Sequence, residues 1–149
     1  MIKTRTAASR EDRLTCADIW LASSLKAHDF VDAAFWQRQH AAMVDSYLPS
    51  GRVVMAFEDE ICKGFSAVRE SMLEAMFVRP EYWRQGVGLS LLRLLQETYD
   101  QLELKVYAKN TRALNFYRHA GFVILGETIC PHTGEPELHM RWRKLAPLP

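Results

Sequence analysis

The chain has 149 residues, 25% charged and 48% hydrophobic, and nineteen Lys/Arg against eighteen Asp/Glu leave a net charge of +1. That length fits one domain over residues 1–149, able to close a core without disulfides or metal. The charge balance removes the electrostatic case for nucleic-acid binding, and no apolar run approaches the ~20 residues that span a bilayer. Met1-Ile2-Lys3-Thr4-Arg5-Thr6 also lacks the apolar stretch of a signal peptide, so a soluble, cytoplasmic protein without nucleic-acid or membrane partners is expected.

In chain order, Ile2 to Thr6 reads as a short strand. Ser9-Arg10-Glu11-Asp12 fits the S-x-x-D helix start, in which hydroxyl and carboxylate satisfy free backbone N–H groups. Leu14, Ala17, Leu21 and Leu25 follow at helical spacing. Trp36, His40, Met43, Val44, Tyr47 and Leu48 form a second helical stripe, stopped by Pro49-Ser50-Gly51. Strands are expected over 52–57 and 61–68, joined by Glu58-Asp59-Glu60, and over 72–78, ending at Arg79-Pro80. Leu89, Leu92, Leu95 and Tyr99 mark a helix. Leu102, Leu104, Val106 and Ala108 alternate with polar neighbours and mark a strand. A short helix from Thr111 ends at Gly121, and strands over 122–128 and 137–143 follow. The sum is an α/β fold whose mixed sheet is flanked by helices.

Cys16, Cys62 and Cys130 are far apart and show no C-x-x-C or zinc spacing, so free thiols and no metal are expected. The chemistry concentrates at Arg84-Gln85-Gly86-Val87-Gly88-Leu89, between a strand and a helix. Glycines there allow backbone to approach a ligand. The unpaired N–H groups of the first helical turn attract phosphate, and Arg84 adds a charge-assisted donor. The Lys-Ser/Thr of a Walker loop is missing, and Leu91 stands where a dinucleotide fingerprint needs its third glycine. By itself the turn fits any phosphate-binding α/β protein.

The whole stretch Val78-Arg79-Pro80-Glu81-Tyr82-Trp83-Arg84-Gln85-Gly86-Val87-Gly88-Leu89 resembles motif A of the GNAT family of acetyl-coenzyme-A-dependent N-acetyltransferases. Asn110-Thr111-Arg112-Ala113-Leu114-Asn115-Phe116-Tyr117 with Gly121-Phe122 is similar to that family's second helical motif. The segment around His28-Asp29-Phe30 also looks like small bacterial members. One departure is Trp83, where the family usually carries Gln or Arg.

The resemblance implies a mostly antiparallel sheet with one splayed parallel pair, the acyl-CoA N-acyltransferase fold. It implies acetyl-CoA as cosubstrate and direct transfer to a primary amine, on a protein lysine or a small molecule. The pantetheine arm would lie along backbone at Met76, Phe77 and Val78, where a strand N–H polarises the thioester carbonyl. Arg84, Gln85, Gly86, Val87, Gly88, Leu89 and Ser90 would hold the pyrophosphate, and Asn110 the pantetheine region. Tyr117 falls at the position of the general acid that protonates the departing thiolate. A lysine-like amine has a pKa near 10.4 and needs a proton acceptor. Glu74 and His28 are the candidates, with His139 behind them. Phe30, Trp36, Tyr47 and Trp142 are aromatics available to an acceptor pocket, though each alone reads as core. A silent acyl-CoA-binding module is the alternative function. Monomer and homodimer are both open.

Overall fold

The computed structural model describes residues 1–145. Seven strands form one sheet: β1 (Lys3–Thr6), β2 (Arg52–Glu58), β3 (Ile61–Arg69), β4 (Met72–Val78), β5 (Gln101–Tyr107), β6 (Val123–Ile129) and β7 (Pro136–Arg143). Their order is β1-β2-β3-β4-β5-β7-β6. Every neighbouring pair is antiparallel except β4 and β5, which are parallel and paired at a single position, Met72↔Glu103. There Glu103 N–H donates to the Ser71 carbonyl at 2.9 Å. Beyond that point the two strands diverge, as the expected splayed pair requires.

Helices α1 (Arg10–Ala27) and α2 (Ala33–Ala42) cover one face, and α3 (Val87–Thr98) and α4 (Thr111–His119) the other. The alternation of β2 shows the two layers: Val53 and Met55 join Ile19, Trp20 and Trp36, whereas Val54 and Ala56 join Val87 and Leu91. The α1 cap forms as its sequence predicts, with Asp12 N–H donating to Ser9 Oγ at 3.1 Å. Asp12 also holds Arg5 through two hydrogen bonds of 2.8 and 2.9 Å, tying β1 to the helix.

Two expectations about the helical region need correction. The buried face of α1 follows the expected stripe only in part: Ala17 is buried and Leu21 packs against the core, but Leu14 and Leu25 are exposed, and Cys16, Ile19, Trp20, Ser23 and Ser24 supply the rest of the buried face. Small residues there let the helix lie close to β3 and β4. The second stripe is not one α-helix either. After Ala42 the chain widens into a π turn over Met43–Tyr47 and tightens into a 3-10 turn at Leu48–Ser50, which leaves Tyr47 exposed.

Candidate active site

Backbone alternation decides what the gap between β4 and β5 presents. Arg79 N–H donates to Lys63 of β3, so the N–H and C=O groups of Val78 and Met76 point the other way, into the gap. The Val78 carbonyl is already occupied: Ser23 Oγ donates to it at 2.7 Å and Trp83 Nε1 at 2.8 Å. Met76 and the Val78 N–H remain for an extended ligand.

At the end of β4 the chain turns sharply. Arg84 has φ +66° and Gly86 φ +86°, and beyond its two chain neighbours no atom among the described residues lies within 4 Å of where a Gly86 Cβ would stand. Arg84, Gln85 and Gly86 are exposed, so the loop faces outward. Gly86 is the cap of α3 and supplies no side-chain acceptor. The N–H groups of Gly86, Val87, Gly88 and Leu89 are therefore left without helical partners. Ser90 N–H donates to the Gly86 carbonyl at 3.0 Å, which narrows the expected phosphate contacts.

Two cavities meet in the gap. One, of about 400 Å³, is lined by Val78, Arg84, Gly86, Val87, Gly88 and Leu89 among others. Gln85 and Ser90 are not in its wall. The second, of about 310 Å³, runs under α1 and α2 and is lined by Trp20, Trp36, Glu74, Tyr107 and Glu137 among others. Met76, Phe77, Asn110, Ala113 and Tyr117 line both. Tyr117 thus stands at the junction, and burial pushes its hydroxyl above the ordinary phenol range, so it stays protonated at neutral pH.

Asn110 ties the two helical layers together. Its Oδ1 accepts from Ala113 N–H at 3.3 Å, capping α4, and its Nδ2 faces His28 Nε2 at 3.1 Å. Because the amide nitrogen only donates, Nε2 accepts and the ring proton sits on Nδ1. Burial lowers the His28 pKa to about 4, so the ring is neutral at pH 7 and a weak base. His28 Nδ1, Ser24 Oγ and Trp36 Nε1 make no hydrogen bond among the described residues.

Glu74 lines the second cavity, with one oxygen 2.8 Å from Arg69. His139 lies outside both cavities, 3.1 Å from Glu103 at an angle that makes no hydrogen bond. Of the four aromatics, Trp36 and Tyr47 line the second cavity. Phe30 backs it through Tyr107, with ring centroids 5.5 Å apart. Trp142 packs instead against Gly121. Trp20, Tyr107 and Glu137 were missed as site residues. Glu137 and Tyr107 face each other in the β5–β7 register, a pairing that period-two alternation alone does not reveal.

A splayed strand pair, an uncapped helix end at one mouth of the gap and a tyrosine at its waist define an acyl-CoA N-acyltransferase fold. Residues 49–124 match the family model described as an acetyltransferase (GNAT) domain. The peptidyl-lysine N-acetyltransferase YiaC of Escherichia coli K12 is 33% identical over 136 residues, covering 91% of this chain and 93% of that protein. The solution structure of apo YjaB from Escherichia coli superposes with a TM-score of 0.84 at 22% identity, covering 97% and 99% of the two chains. PaiA N-acetyltransferase from Thermoplasma acidophilum, solved with coenzyme A, gives 0.72 at 18% identity over 96% and 99%. The chain belongs to the GNAT family. It is an acetyl-CoA-dependent N-acetyltransferase that transfers acetyl to an amine.

Proposed function

We propose that the acceptor is the side chain of a peptidyl lysine, and that it enters through the cavity under α1 and α2. The name of the YiaC relative supports the acceptor class. The lining supports it chemically, because Trp20, Trp36, Phe77 and Tyr107 suit a four-carbon alkyl stem and Glu74 offers a carboxylate. Acetyl-CoA, which supplies the activated thioester, fits the other cavity. The free amides of Gly86 to Leu89 suit its diphosphate, and the open gap-facing groups of Met76 and Val78 suit an extended amide-bearing arm.

In this reading Glu74 takes the amine proton, directly or through water, and the Val78 or Met76 N–H holds the developing oxyanion. Tyr117 gives its proton to the departing thiolate. His28 is a positioning residue, since a ring already bonded to Asn110 and held near pKa 4 takes up no proton at pH 7. The observation that carries the reading is that Tyr117 lines both cavities.

The test is Tyr117→Phe, assayed by thiol release with a lysine peptide and by calorimetry with CoA. Losing one general acid should lower kcat about 10²-fold or more while CoA affinity stays near the parent value. Unchanged turnover removes Tyr117 from the role. Turnover with free polyamines or amino acids but none with lysine peptides would overturn the acceptor class.

A further inference from the structure

At the outer end of the CoA-side cavity stands the residue that departs from the family's usual loop pattern. Trp83 is anchored by its Nε1–H to the Val78 carbonyl at 2.8 Å. The Arg112 guanidinium, brought by the first turn of α4, sits 3.7 Å from the centre of its ring, and Lys26 from the end of α1 lies 5.2 Å away. Arg112 and Arg84 line the same cavity as Gly86 and Gly88. None of the ion pairs among the described residues includes Lys26, Arg84 or Arg112.

Like charges gathered at one mouth without an ion-pair partner repel one another, and the guanidinium of Arg112, an exposed residue, loses hydration on the side stacked against the indole. Both effects act on Arg112, whose pKa is lowered by desolvation and by Arg84. A doubly charged anion bound between them would relieve both. Stacking engages the flat face of a guanidinium and leaves its in-plane N–H groups free to reach phosphate oxygens.

We propose that Trp83 and Arg112 together replace the polar loop side chain usual at position 83, with the indole as a platform that presents Arg112 to the diphosphate of the coenzyme. Arg112 is the binding residue and Trp83 the positioning residue. The inference rests on the assignment of this cavity to acetyl-CoA.

Calorimetry on purified variants with CoA, dephospho-CoA and pantetheine tests it. Arg112→Gln should weaken CoA and dephospho-CoA by about tenfold or more, the size of a lost charge-assisted hydrogen bond. It should leave pantetheine, which has no phosphate, unchanged. Trp83→Leu should lose a similar factor, and the double variant should lose no more than Arg112→Gln alone, because the two act through one contact. Trp83→Arg in the Arg112→Gln background should recover most of the affinity.

Losses that add in the double variant overturn the platform role. A loss that disappears with dephospho-CoA assigns Arg112 to the 3′-phosphate and overturns the diphosphate assignment. An equal loss with pantetheine overturns phosphate recognition altogether. If Trp83→Leu does not fold, Trp83→Phe, which keeps a ring but not the N–H bond to Val78, enters the same cycle: a loss that does not add to that of Arg112→Gln supports the platform role, and additive losses overturn it. A parent chain that bound no CoA would sink the cavity assignment itself, whereas tight parent binding untouched by Arg112→Gln would sink only the clamp.

Discussion

At the residue scale, His28 shows how position overrides residue type. A histidine beside a reaction centre invites the role of base, yet this one is buried between Trp36 and Tyr107, with ring centroids 5.3 and 4.9 Å away. Its folded pKa of about 4 lies below the unfolded value near 6.5. In that window the unfolded chain holds more protons than the folded one. Stability is therefore full above pH 6.5 and falls as the pH drops toward 4, by on the order of 3 kcal/mol. His28→Gln should flatten this part of the stability-against-pH curve, measured by urea melts at several pH values, even though it lowers stability at pH 7. A variant curve parallel to the parent's would show that another group carries the acid sensitivity. Motif residues such as Asn110 and Tyr117 were legible because their spacing is local. The bond from His28 to Asn110 joins residues far apart in sequence and was not.

At the element scale, β4 sits where it does because β3 lets it. A Cβ on Gly64 would lie 2.8 Å from the Phe77 carbonyl, 3.2 Å from Val87 and 3.3 Å from Val78. The nearest of these is backbone and cannot swing aside, so Gly64→Ala must push β4 away from β3. We expect a loss of about 1–3 kcal/mol in chemical denaturation with an unchanged m-value. CoA affinity should weaken too, because Phe77 and Val78 belong to the wall of the gap. Stability equal to the parent's would mean that the strand yields without cost. In sequence Gly64 was only a glycine inside an apolar strand, since close approach becomes visible when the partner strand is in place. Strands with period-two alternation, such as β5 and β7, were recovered nearly to their ends. The α1 face was only partly legible: Ala17 was on the expected stripe, but much of the packing rests on Cys16, Ser23 and Ser24, and hydrophobic periodicity follows leucines.

At the scale of the whole molecule, the sheet is two halves, β1–β4 and β5–β7, hinged at Met72↔Glu103. The order of elements and the two motifs made this division readable, but the width of the gap and the joining of its two cavities depend on side chains from every layer. Such an opening leaves backbone donors in the middle of a sheet without strand partners, a cost that persists until a ligand supplies acceptors. An extended coenzyme arm would act as the missing strand between the halves and would stabilise the fold by ~2.7 kcal/mol at a hundredfold excess over Kd. Amide hydrogen exchange reads this directly. Met76 and Val78, which face the gap, should exchange quickly in the free protein and slow markedly with saturating CoA. Phe77, whose N–H faces β3 by the same alternation, should be protected in both states and serves as an internal reference. If CoA slowed only the amides of Gly86 to Leu89 and left Met76 and Val78 unchanged, the diphosphate would be docked while the arm lay elsewhere, and β4 would not be the strand that carries the thioester.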